Sequence, residues 1–281
     1  MSMFHVEKMK VDDFPFAIQL ANTMNWGMTI EDFEFMTKLE PQGCFVLFQK
    51  EKRMGIATSI AFGKGGWFGN FIVEKDFRGE GAGSLLLKTA IDYLKSKGVE
   101  TIGLYAYPNL VNFYEHFGFE PDINFSVLKG KLNFSANEEK LKAATKQDLP
   151  ELVDLDRECF GANRKKLLEN IFLGKGNLFY VSTEEGHDTG YVAAKVYDKA
   201  AEVGPLVCNA KCVDEALLLL KTILAKLNGF EVFMYIPKKE ADLLNVLFQA
   251  GLKEDFSLVR MFFGQAVAKN CIYAAESLER G

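Results

Sequence analysis

Three glycines follow an arginine in the stretch Arg78–Ser84, "RGEGAGS", and a leucine-rich run comes directly after it. Glycine weakens both helices and strands, so such a cluster needs a physical reason. Free amides at the start of a helix, together with the helix dipole, bind phosphate, and glycine lets the phosphate approach the backbone closely. Arg78 adds a positive charge that can pair with a phosphate oxygen. The stretch therefore predicts a phosphate-binding loop, with a tight turn that binds nothing as the alternative.

Two common nucleotide-binding motifs do not fit this loop. The Gly-Lys-Ser/Thr triplet of a Walker P-loop is absent. The strand before the loop also lacks the glycine spacing of a dinucleotide-binding fingerprint. The loop therefore needs a different kind of phosphate ligand.

Strand-like and helix-like segments alternate around the loop. Trp67–Val73 is predicted to be the strand before it, and Thr101–Tyr107 the next strand. Between them, apolar positions 82, 86, 90 and 94, with 85 and 91 beside them, predict a helix closed by Gly98. Asn109–His116 is predicted to be a further helix. The loop thus lies between a strand and the start of a helix.

The segments upstream of the loop continue this pattern. Pro15 in the first turn marks a helix over Asp12–Met24. Two apolar runs, Cys44–Lys50 and Gly55–Phe62, predict a hairpin around the charged residues Glu51–Arg53. The whole pattern indicates an α/β fold.

The chain contains two copies of this pattern. Short similarities recur at an offset of about 134 residues, in the same order, as expected for a duplicated unit. They pair Phe14-Pro15 with Leu149-Pro150, Gly55 with Gly190, Ile72-Val73 with Leu206-Val207, and Gly118 with Gly251. A polar stretch, Lys129–Glu139, separates the copies, so we predict domains at 1–130 and 138–281. The second copy has "CVDEAL" (Cys212–Leu217) in place of Arg78–Gly83, which indicates a ligand in the first copy only.

Bulk composition excludes several classes of protein. With 281 residues, 48% hydrophobic and 25% charged, the chain is typical of a globular protein of two domains. A net charge of -5 argues against a nucleic-acid surface. No signal peptide is predicted in Met1–Lys10, and the longest aliphatic run, Leu217–Leu220, is too short to span a membrane. Five cysteines without framework spacing favour a cytoplasmic location, and Cys208 and Cys212 lack further ligands for a metal.

Arg78, Gly81 and Gly83 resemble the Arg/Gln-x-x-Gly-x-Gly/Ala signature of the GCN5-related N-acetyltransferase (GNAT) superfamily. The flanking "IVEKDFRGEGAGSLLL" is similar to that family's strand, turn and helix, and "YPNLVNFYEHFGFE" resembles the second half of its acyl-CoA site. The resemblance covers most of residues 4–128, and the second half is similar to a degenerate copy. It implies an α/β fold of two tandem acyl-CoA N-acyltransferase (GNAT-like) domains, each a mixed, mainly antiparallel sheet flanked by helices.

The resemblance also implies a cofactor, acetyl-CoA (coenzyme A), and the residues that hold it. The pyrophosphate would lie on Arg78, Gly79, Glu80, Gly81, Ala82, Gly83 and Ser84. The backbone of Ile72 and Val73 would pair with the pantetheine arm, between two strands that splay apart near Val73 and Tyr107. Asn109 would hydrogen-bond the arm or cap the following helix.

Acyl transfer needs a proton donor for the leaving thiolate and a neutral amine. By resemblance Tyr114 is the donor, and packing beside Phe113 and Phe117 is the alternative. No base is assigned. Asn70 could position a water, Glu74 is expected to face solvent, and His116 is expected to pack or to lie at the surface.

The acceptor pocket is expected to include Asn25 and Trp26, in a predicted turn, together with Asn70 and Tyr105. Phe33 and Met36 are expected to be core residues at helical spacing. Glu31 and Asp32 could attract a cationic amine or only cap a helix.

We therefore expect an acyl-CoA-dependent N-acetyltransferase that moves an acetyl group to a primary amine by direct attack in a ternary complex. The acceptor, a small molecule or a peptide, and the oligomeric state stay open. The alternative is a non-catalytic acyl-CoA-binding sensor or a protein-interaction module, which the missing carboxylate in "GGWFGNFIV" favours.

Overall fold

The computed structural model describes residues 4–134, 141–209, 212–266 and 271–281. The chain forms two compact units, residues 1–104 with Arg280 and residues 105–279 with Gly281. Residues 135–140 of the predicted linker, and Met1–Met3 of the segment tested for a signal peptide, lie outside the described residues.

The first unit is a mixed sheet with three α-helices among its described residues. In chain order its elements are β1 (Phe4–Lys8), α1 (Phe14–Asn22), α2 (Ile30–Leu39), β2 (Cys44–Gln49), β3 (Lys52–Phe62), β4 (Gly65–Val73), α3 (Ala82–Ser96) and β5 (Thr101–Ala106). The strands lie in the order β1-β2-β3-β4-β5. Every neighbouring pair is antiparallel except β4 and β5, which are parallel. The predicted hairpin is therefore present as β2 and β3.

The turn of that hairpin differs from the prediction. Lys52 and Arg53 were expected in the turn, but both belong to β3, and Lys52 pairs with Gln49. The chain instead reverses at Lys50 and Glu51, and Lys50 takes a positive φ of 54°. The run of charged residues therefore predicted the turn to within two residues. Its exact position depends on the pairing of β2 with β3.

Helices α1 and α2 pack an apolar cluster against the sheet of the first unit. Phe33 and Met36 are completely buried in it, as expected of core residues. In α3 the predicted stripe is confirmed at five of its six positions and wrong at one. Leu85 is 37% exposed, and Leu87 is buried instead. Periodicity gives the orientation of a helix only to within about one residue, so neighbours at the edge of the stripe can exchange.

The second unit repeats the same kinds of element around a longer sheet. In chain order they are α4 (Val111–Glu115), β6 (Phe119–Lys131), β7 (Lys142–Ala143), α5 (Leu149–Phe160), α6 (Lys165–Phe172), β8 (Leu178–Glu184), β9 (His187–Tyr197), β10 (Ala200–Cys208), α7 (Val213–Lys226), β11 (Glu231–Pro237), α8 (Ala241–Gln249), β12 (Lys253–Phe263) and β13 (Ile272–Ala274). The order is β12-β6-β11-β10-β9-β8-β7, with β13 against β10. β10 and β11 are parallel, and the other pairs are antiparallel.

Strand β6 connects the two copies in a way that the repeat did not predict. By sequence it ends the first copy, yet it lies between β11 and β12, and Phe125 is opposite both Pro237 and Leu258. The compact units accordingly divide the chain after Leu104, whereas the sequence repeat divides it near residue 130. The domain ranges 1–130 and 138–281 therefore stay a prediction about the duplication.

The two copies match closely in the strands around the glycine loop. β3 and β9 have 11 residues each, β4 and β10 have 9 each, and in both copies the shorter strand follows the longer after a two-residue turn. Each copy also has one parallel contact, β4 with β5 and β10 with β11. Both copies are therefore mixed, mainly antiparallel sheets flanked by helices, as expected.

Candidate active site

The loop between β4 and α3 is built around two left-handed glycines. After a short 3-10 turn, Lys75–Phe77, the chain passes through Gly79 and Gly81, which both have a φ of 84°. Gly81 is the residue that caps the start of α3. An L side chain is strained in this region of φ, so glycine is required here by the backbone. Gly83, by contrast, lies inside α3.

The amides of this loop are at the start of a helix of 15 residues. The Leu85 amide donates to the Gly81 carbonyl oxygen at 3.0 Å, which makes it the first amide bonded within the helix. The amides of Ala82, Gly83 and Ser84 precede it, and the helix dipole adds positive potential at this end. A Cβ added at Gly79 or Gly81 would meet nothing within 4 Å. The space beside these glycines is therefore open to a ligand.

Arg78 is tied to the end of β4. Its Nε donates to the Val73 carbonyl oxygen at 2.9 Å, and its side chain is otherwise exposed. This bond fixes the base of the guanidinium group and leaves its outer face toward solvent. A positive charge therefore stands beside the amides of the loop.

The edge of β4 presents alternate backbone groups away from β3. The Glu74 amide donates to the Met54 carbonyl oxygen at 2.8 Å, so Glu74 and Met54 form a hydrogen-bonded antiparallel pair. The next pair, Val73 with Gly55, is then a non-hydrogen-bonded one, and the N–H and C=O of Val73 point away from β3. Ile72, opposite Ile56, points toward β3. Of the two residues expected to pair with an arm, only Val73 has its backbone directed outward.

A β-bulge interrupts β4 just before this edge. The register passes from Ile56↔Ile72 to Thr58↔Gly69, so two residues of β4, Asn70 and Phe71, stand opposite one residue of β3. Asn70 takes a positive φ of 46°, is 7% exposed, and its Nδ2 donates to Thr58 Oγ1 at 3.2 Å. Neither the bulge nor the contact of Asn70 with Thr58 was predicted from the sequence. The pair Gly69-Asn70 in a strand was the available signal, since both residues tolerate unusual backbone angles.

Before the bulge, β4 and β5 have a short common ladder. Among the described residues their parallel pairing covers Gly65–Trp67 with Thr101–Gly103, and β4 then continues to Val73. The Trp67 ring lies on Gly103, where a Cβ would come within 2.2 Å of it. A strand that continues without this partner offers its backbone to a ligand.

Two of the predicted acceptor residues, Asn25 and Trp26, occupy the turn after α1. Asn25 is exposed with a φ of 58°, and Trp26 is half-buried against the apolar cluster of the unit. Asp32 caps α2, since its Oδ2 accepts from the Thr29 amide at 2.9 Å. Hydrogen bonds from its own backbone and from Thr29 lower the pKa of Glu31. The capping alternative therefore accounts for Asp32.

Tyr114 and Asn109 belong to the second unit. Tyr114 is 4% exposed and packs edge-on against Phe113 and Phe119, with ring centroids 5.3 and 5.9 Å apart. Burial raises the pKa of Tyr114, so its phenol stays protonated. Asn109 is exposed in the 3-10 turn Pro108–Leu110 and makes no capping bond, so the capping alternative is wrong.

Tyr105, also in the second unit, is half-buried near an ion pair. Its ring packs edge-on against Phe125, with centroids 4.9 Å apart. Arg260 binds Asp122 through Nε at 2.7 Å and lies over the same Phe125 ring. Burial raises the pKa of Tyr105 to about 12, although the charge of Arg260 opposes the shift. At neutral pH Tyr105 is therefore a neutral hydrogen-bonding group.

The remaining titratable candidates have local partners. Glu74 forms an ion pair with Lys52 at 3.2 Å, and His116 is exposed with its Nδ1 against the Asn112 carbonyl oxygen. Cys208 is buried and Cys212 exposed. Within the described residues no cluster of three or more His, Cys, Asp or Glu side chains could hold a metal ion. In the same part of the chain, no helix has the length and apolar character needed to cross a bilayer.

Two family models match the chain. Residues 13–119 match the model described as "Acetyltransferase (GNAT) family", and residues 152–273 match "Acetyltransferase (GNAT) domain". Together these ranges take in most of the chain. The chain belongs to the GNAT acetyltransferase family. The predicted tandem organisation is thereby confirmed, and each copy of the repeat contains one GNAT domain.

Comparison with individual proteins agrees with this family. A segment of 51 residues is 41% identical to "Uncharacterized N-acetyltransferase ycf52" of Gracilaria tenuistipitata var. liui, and it spans 18% of this chain and 28% of that relative. The whole chain superposes on "A Putative Acetyltransferase" from Pyrococcus horikoshii, with a TM-score of 0.83, 21% identity and 97% of that chain covered.

A second solved structure is Saccharomyces cerevisiae N-myristoyltransferase with bound myristoyl-CoA. Its TM-score is 0.67 at 13% identity, and the match covers 94% of this chain and 83% of that one. Both structural likenesses concern the fold. GNAT family members use acetyl-CoA, which makes the loop of the first GNAT domain the natural candidate for cofactor binding.

Proposed function

We propose that this GNAT protein is an acyl-CoA-dependent N-acetyltransferase whose first GNAT domain binds acetyl-CoA and whose acceptor is a primary amine. The observation that carries the proposal is the loop of Arg78, Gly79 and Gly81 at the start of α3. This loop contains left-handed glycines with open space beside them and a positive charge next to its amides. The second domain lacks the equivalent residues.

The chemistry of the loop fits a pyrophosphate. Amides that precede the first intrahelical bond are donors without helical acceptors, and an anion satisfies several of them at once. Arg78 adds a charge-assisted hydrogen bond, of the class that is about twice as strong as a neutral one. We assign the pyrophosphate to Arg78–Ser84, the arm to the outward Val73 N–H, and a contact with the arm to Asn109.

Bound acetyl-CoA supplies an acetyl thioester, whose C–S bond breaks as the amine nitrogen bonds to the carbonyl carbon. The sulfur then needs a proton and the amine must lose one. We assign the proton for sulfur to Tyr114. Burial keeps its phenol protonated at neutral pH, so it enters the reaction as a hydrogen-bond donor.

Strand β4 contains no carboxylate that could accept a proton from the attacking amine. The bulge residue Asn70 cannot accept a proton at neutral pH, but its buried amide can orient a water. Glu74 is engaged with Lys52. We therefore propose that the amine arrives neutral or loses its proton through water. Asn25, Trp26 and Asn70 of the first unit, and Tyr105 of the second, stay our proposed acceptor-binding residues.

The test has a binding arm and a turnover arm. Acetyl-CoA at a hundredfold excess over its Kd should stabilise the protein by about 2.7 kcal/mol, measured by thermal unfolding. Release of free thiol with a panel of small-molecule and peptide amines measures turnover. No stabilisation at any acetyl-CoA concentration would refute the proposal.

Tyr114→Phe tests the proton donor. Loss of a general acid lowers turnover about 100- to 10,000-fold. The Kd for acetyl-CoA should stay nearly constant, since the ring and its packing remain. Tyr180→Phe, at a half-buried tyrosine of the second unit outside the proposed site, is the matched control. Equal turnover of the wild type and Tyr114→Phe would remove Tyr114 from this role.

A second candidate function is an acyl-CoA sensor that binds without turnover. The absence of a carboxylate from β4, Gly65–Val73, favours it. The same thiol-release assay separates the two functions, because a sensor is stabilised by acetyl-CoA and yet releases no thiol with any amine.

A further inference from the structure

The second unit contains a counterpart of the region where β4 leaves β5. The parallel pairing of β10 with β11 covers Ala200–Glu202 and Glu231–Phe233, and β10 then continues to Cys208. A bulge again interrupts the strand, here at Gly204 and Pro205. We call the space between β10 and β11 beyond these pairs the second cleft.

A segment of the chain itself lies in the second cleft. This β13 segment, Cys271–Ser277, pairs antiparallel with β10 at Leu206↔Ala274 and Val207↔Ile272. On its other side the Ala275 amide donates to the Tyr235 carbonyl oxygen of β11 at 3.0 Å. The β13 segment therefore bonds to both strands that border the cleft.

The hydrogen bonds of the β13 segment use the backbone position that faces outward in the first copy. The Asn209 amide donates to the Thr189 carbonyl oxygen at 2.9 Å, which matches the pair of Glu74 with Met54. The preceding residue, Cys208, therefore directs its N–H away from β9, as Val73 does from β3. Cys208 pairs with Gly190 as Val73 pairs with Gly55, so it corresponds to Val73 in the structure, one residue later than the sequence pairing with Val207 predicted. The Cys208 N–H donates to the Cys271 carbonyl oxygen at 3.0 Å. A peptide carbonyl thus occupies the position that we assign to an acyl-CoA arm in the first copy.

The contact between the β13 segment and the bulge is very close. A Cβ on Gly204 would lie 1.9 Å from the Ala275 carbonyl oxygen, so only glycine allows this approach. Every residue of the β13 segment is at most 7% exposed. No room for a second extended ligand is left where the segment lies.

A buried group of charges holds the end of the β13 segment. Lys195 on β9 forms ion pairs with Glu276 and, at 2.5 Å, with Glu202, while Tyr235 Oη donates to Glu202 at 2.7 Å. Lys195 is 5% exposed and Glu276 is fully buried. Removing one partner of a buried pair leaves the other charge desolvated, so the β13 segment is fixed in place.

The first turn of α7 is negatively charged, unlike the first turn of α3. Asp214 and Glu215 lie in its first turn, where α3 has no acidic residue. The Glu215 carboxylate accepts from the hydroxyls of Ser182 and Thr189. Carboxylates at this helix end repel a phosphate that the helix dipole alone would attract.

We propose that the second cleft is a peptide-strand site, permanently occupied by the β13 segment, so that the second GNAT domain binds no acyl-CoA. The duplicated cleft has become part of the core of the second unit. The proposal goes beyond the activity assigned to the first domain, and it holds whether or not that domain turns over.

Amide hydrogen exchange of the full chain tests the proposal. The amides of Cys208 and Ala275 should exchange as slowly as the core strands, with equal rates without and with saturating acetyl-CoA. Fast exchange of both amides in the free protein, or faster exchange with acetyl-CoA, would overturn the proposal. So would two equivalents of acetyl-CoA per chain in a calorimetric titration.

A pair of identical substitutions tests the buried charges. Glu276→Gln should speed exchange of the Ala275 amide about 100-fold or more, because it breaks a buried pair. Glu231→Gln, which breaks the exposed pair with Lys129, should leave that rate unchanged. Equal effects of the two substitutions would contradict the proposal. Slow exchange in a chain that fails to bind acetyl-CoA would support it while refuting the proposed function.

Discussion

Replacing Gly81 by alanine separates the cost of a left-handed backbone from the loss of a ligand site. Gly81 has a φ of 84°, and its added Cβ would touch nothing within 4 Å. The alanine side chain therefore causes no clash in the folded protein. The free energy of unfolding should fall only by the cost of the left-handed conformation, about 1–2 kcal/mol for an L residue. At roughly 4–8 °C per kcal/mol for a unit of about 100 residues, the unfolding midpoint should fall by about 4–16 °C.

The other end of α3 offers a matched control. Gly98 follows the helix with a φ of 81°, and its added Cβ would also meet nothing within 4 Å. Gly98→Ala should therefore lower the unfolding midpoint as much as Gly81→Ala does. Only Gly81 adjoins the amides proposed to bind the pyrophosphate, so the two variants should differ in binding alone.

The expected difference in affinity follows from one hydrogen bond to a charged group. Such a bond contributes about 1.5–3 kcal/mol, and each 1.4 kcal/mol is a tenfold change in Kd. Gly81→Ala should weaken acetyl-CoA binding about 10- to 150-fold, and Gly98→Ala should not change it. Calorimetric titration below both unfolding midpoints measures this. Equal Kd values for the two variants would refute the assignment of the loop.

Two further predictions concern charge. Arg78→Gln should weaken acetyl-CoA binding about 10- to 100-fold and make the Kd for acetyl-CoA less dependent on salt. Measurement of this Kd against ionic strength tests the prediction. An unchanged salt dependence would exclude a phosphate contact for Arg78. Hydrogen bonds from Lys142 and Thr145 lower the pKa of Asp148 to about 2, so Asp148 stabilises the fold at neutral pH, and this contribution is lost as the pH falls from about 4 toward 2. The difference in unfolding midpoint between wild type and Asp148→Asn should therefore be full at pH 7 and shrink across that range, and a constant difference would contradict the pKa assignment.

Most secondary structure near the loop could be predicted, because it depends on short-range patterns. The strand before the loop, the helix from Ala82 and the end of that helix at Gly98 all agree with the structure. The errors are local as well. Leu85 was predicted in the buried stripe but is exposed, and Leu87 is buried instead. Of the two roles left open for Asn109, the helix cap is absent. Each error concerns one or two residues, at the end of an element or at the margin of an apolar stripe, where spacing and capping preferences are weakest.

The candidate site was predictable in its residue types but not in its backbone directions. Glycine after arginine indicated the loop, but no residue pattern indicated that the backbone of Val73 points outward and that of Ile72 toward β3. That distinction depends on the register of β3 against β4 and on the bulge at Asn70. A shift of one residue reverses every direction along a strand, so composition alone cannot decide it.

The sequence by itself determined the duplication, the glycine loop and the loss of that loop in the second copy, because each is a matter of residue type at fixed spacing. Only the tertiary structure decided that β6 lies between β11 and β12, and that Cys271–Ser277 fills the second cleft. A strand has the same alternating pattern whichever partner it pairs with. Its partner is selected by burial and by hydrogen bonds to residues far away in the chain, such as those of Lys195 and Tyr235, and no local pattern records that choice.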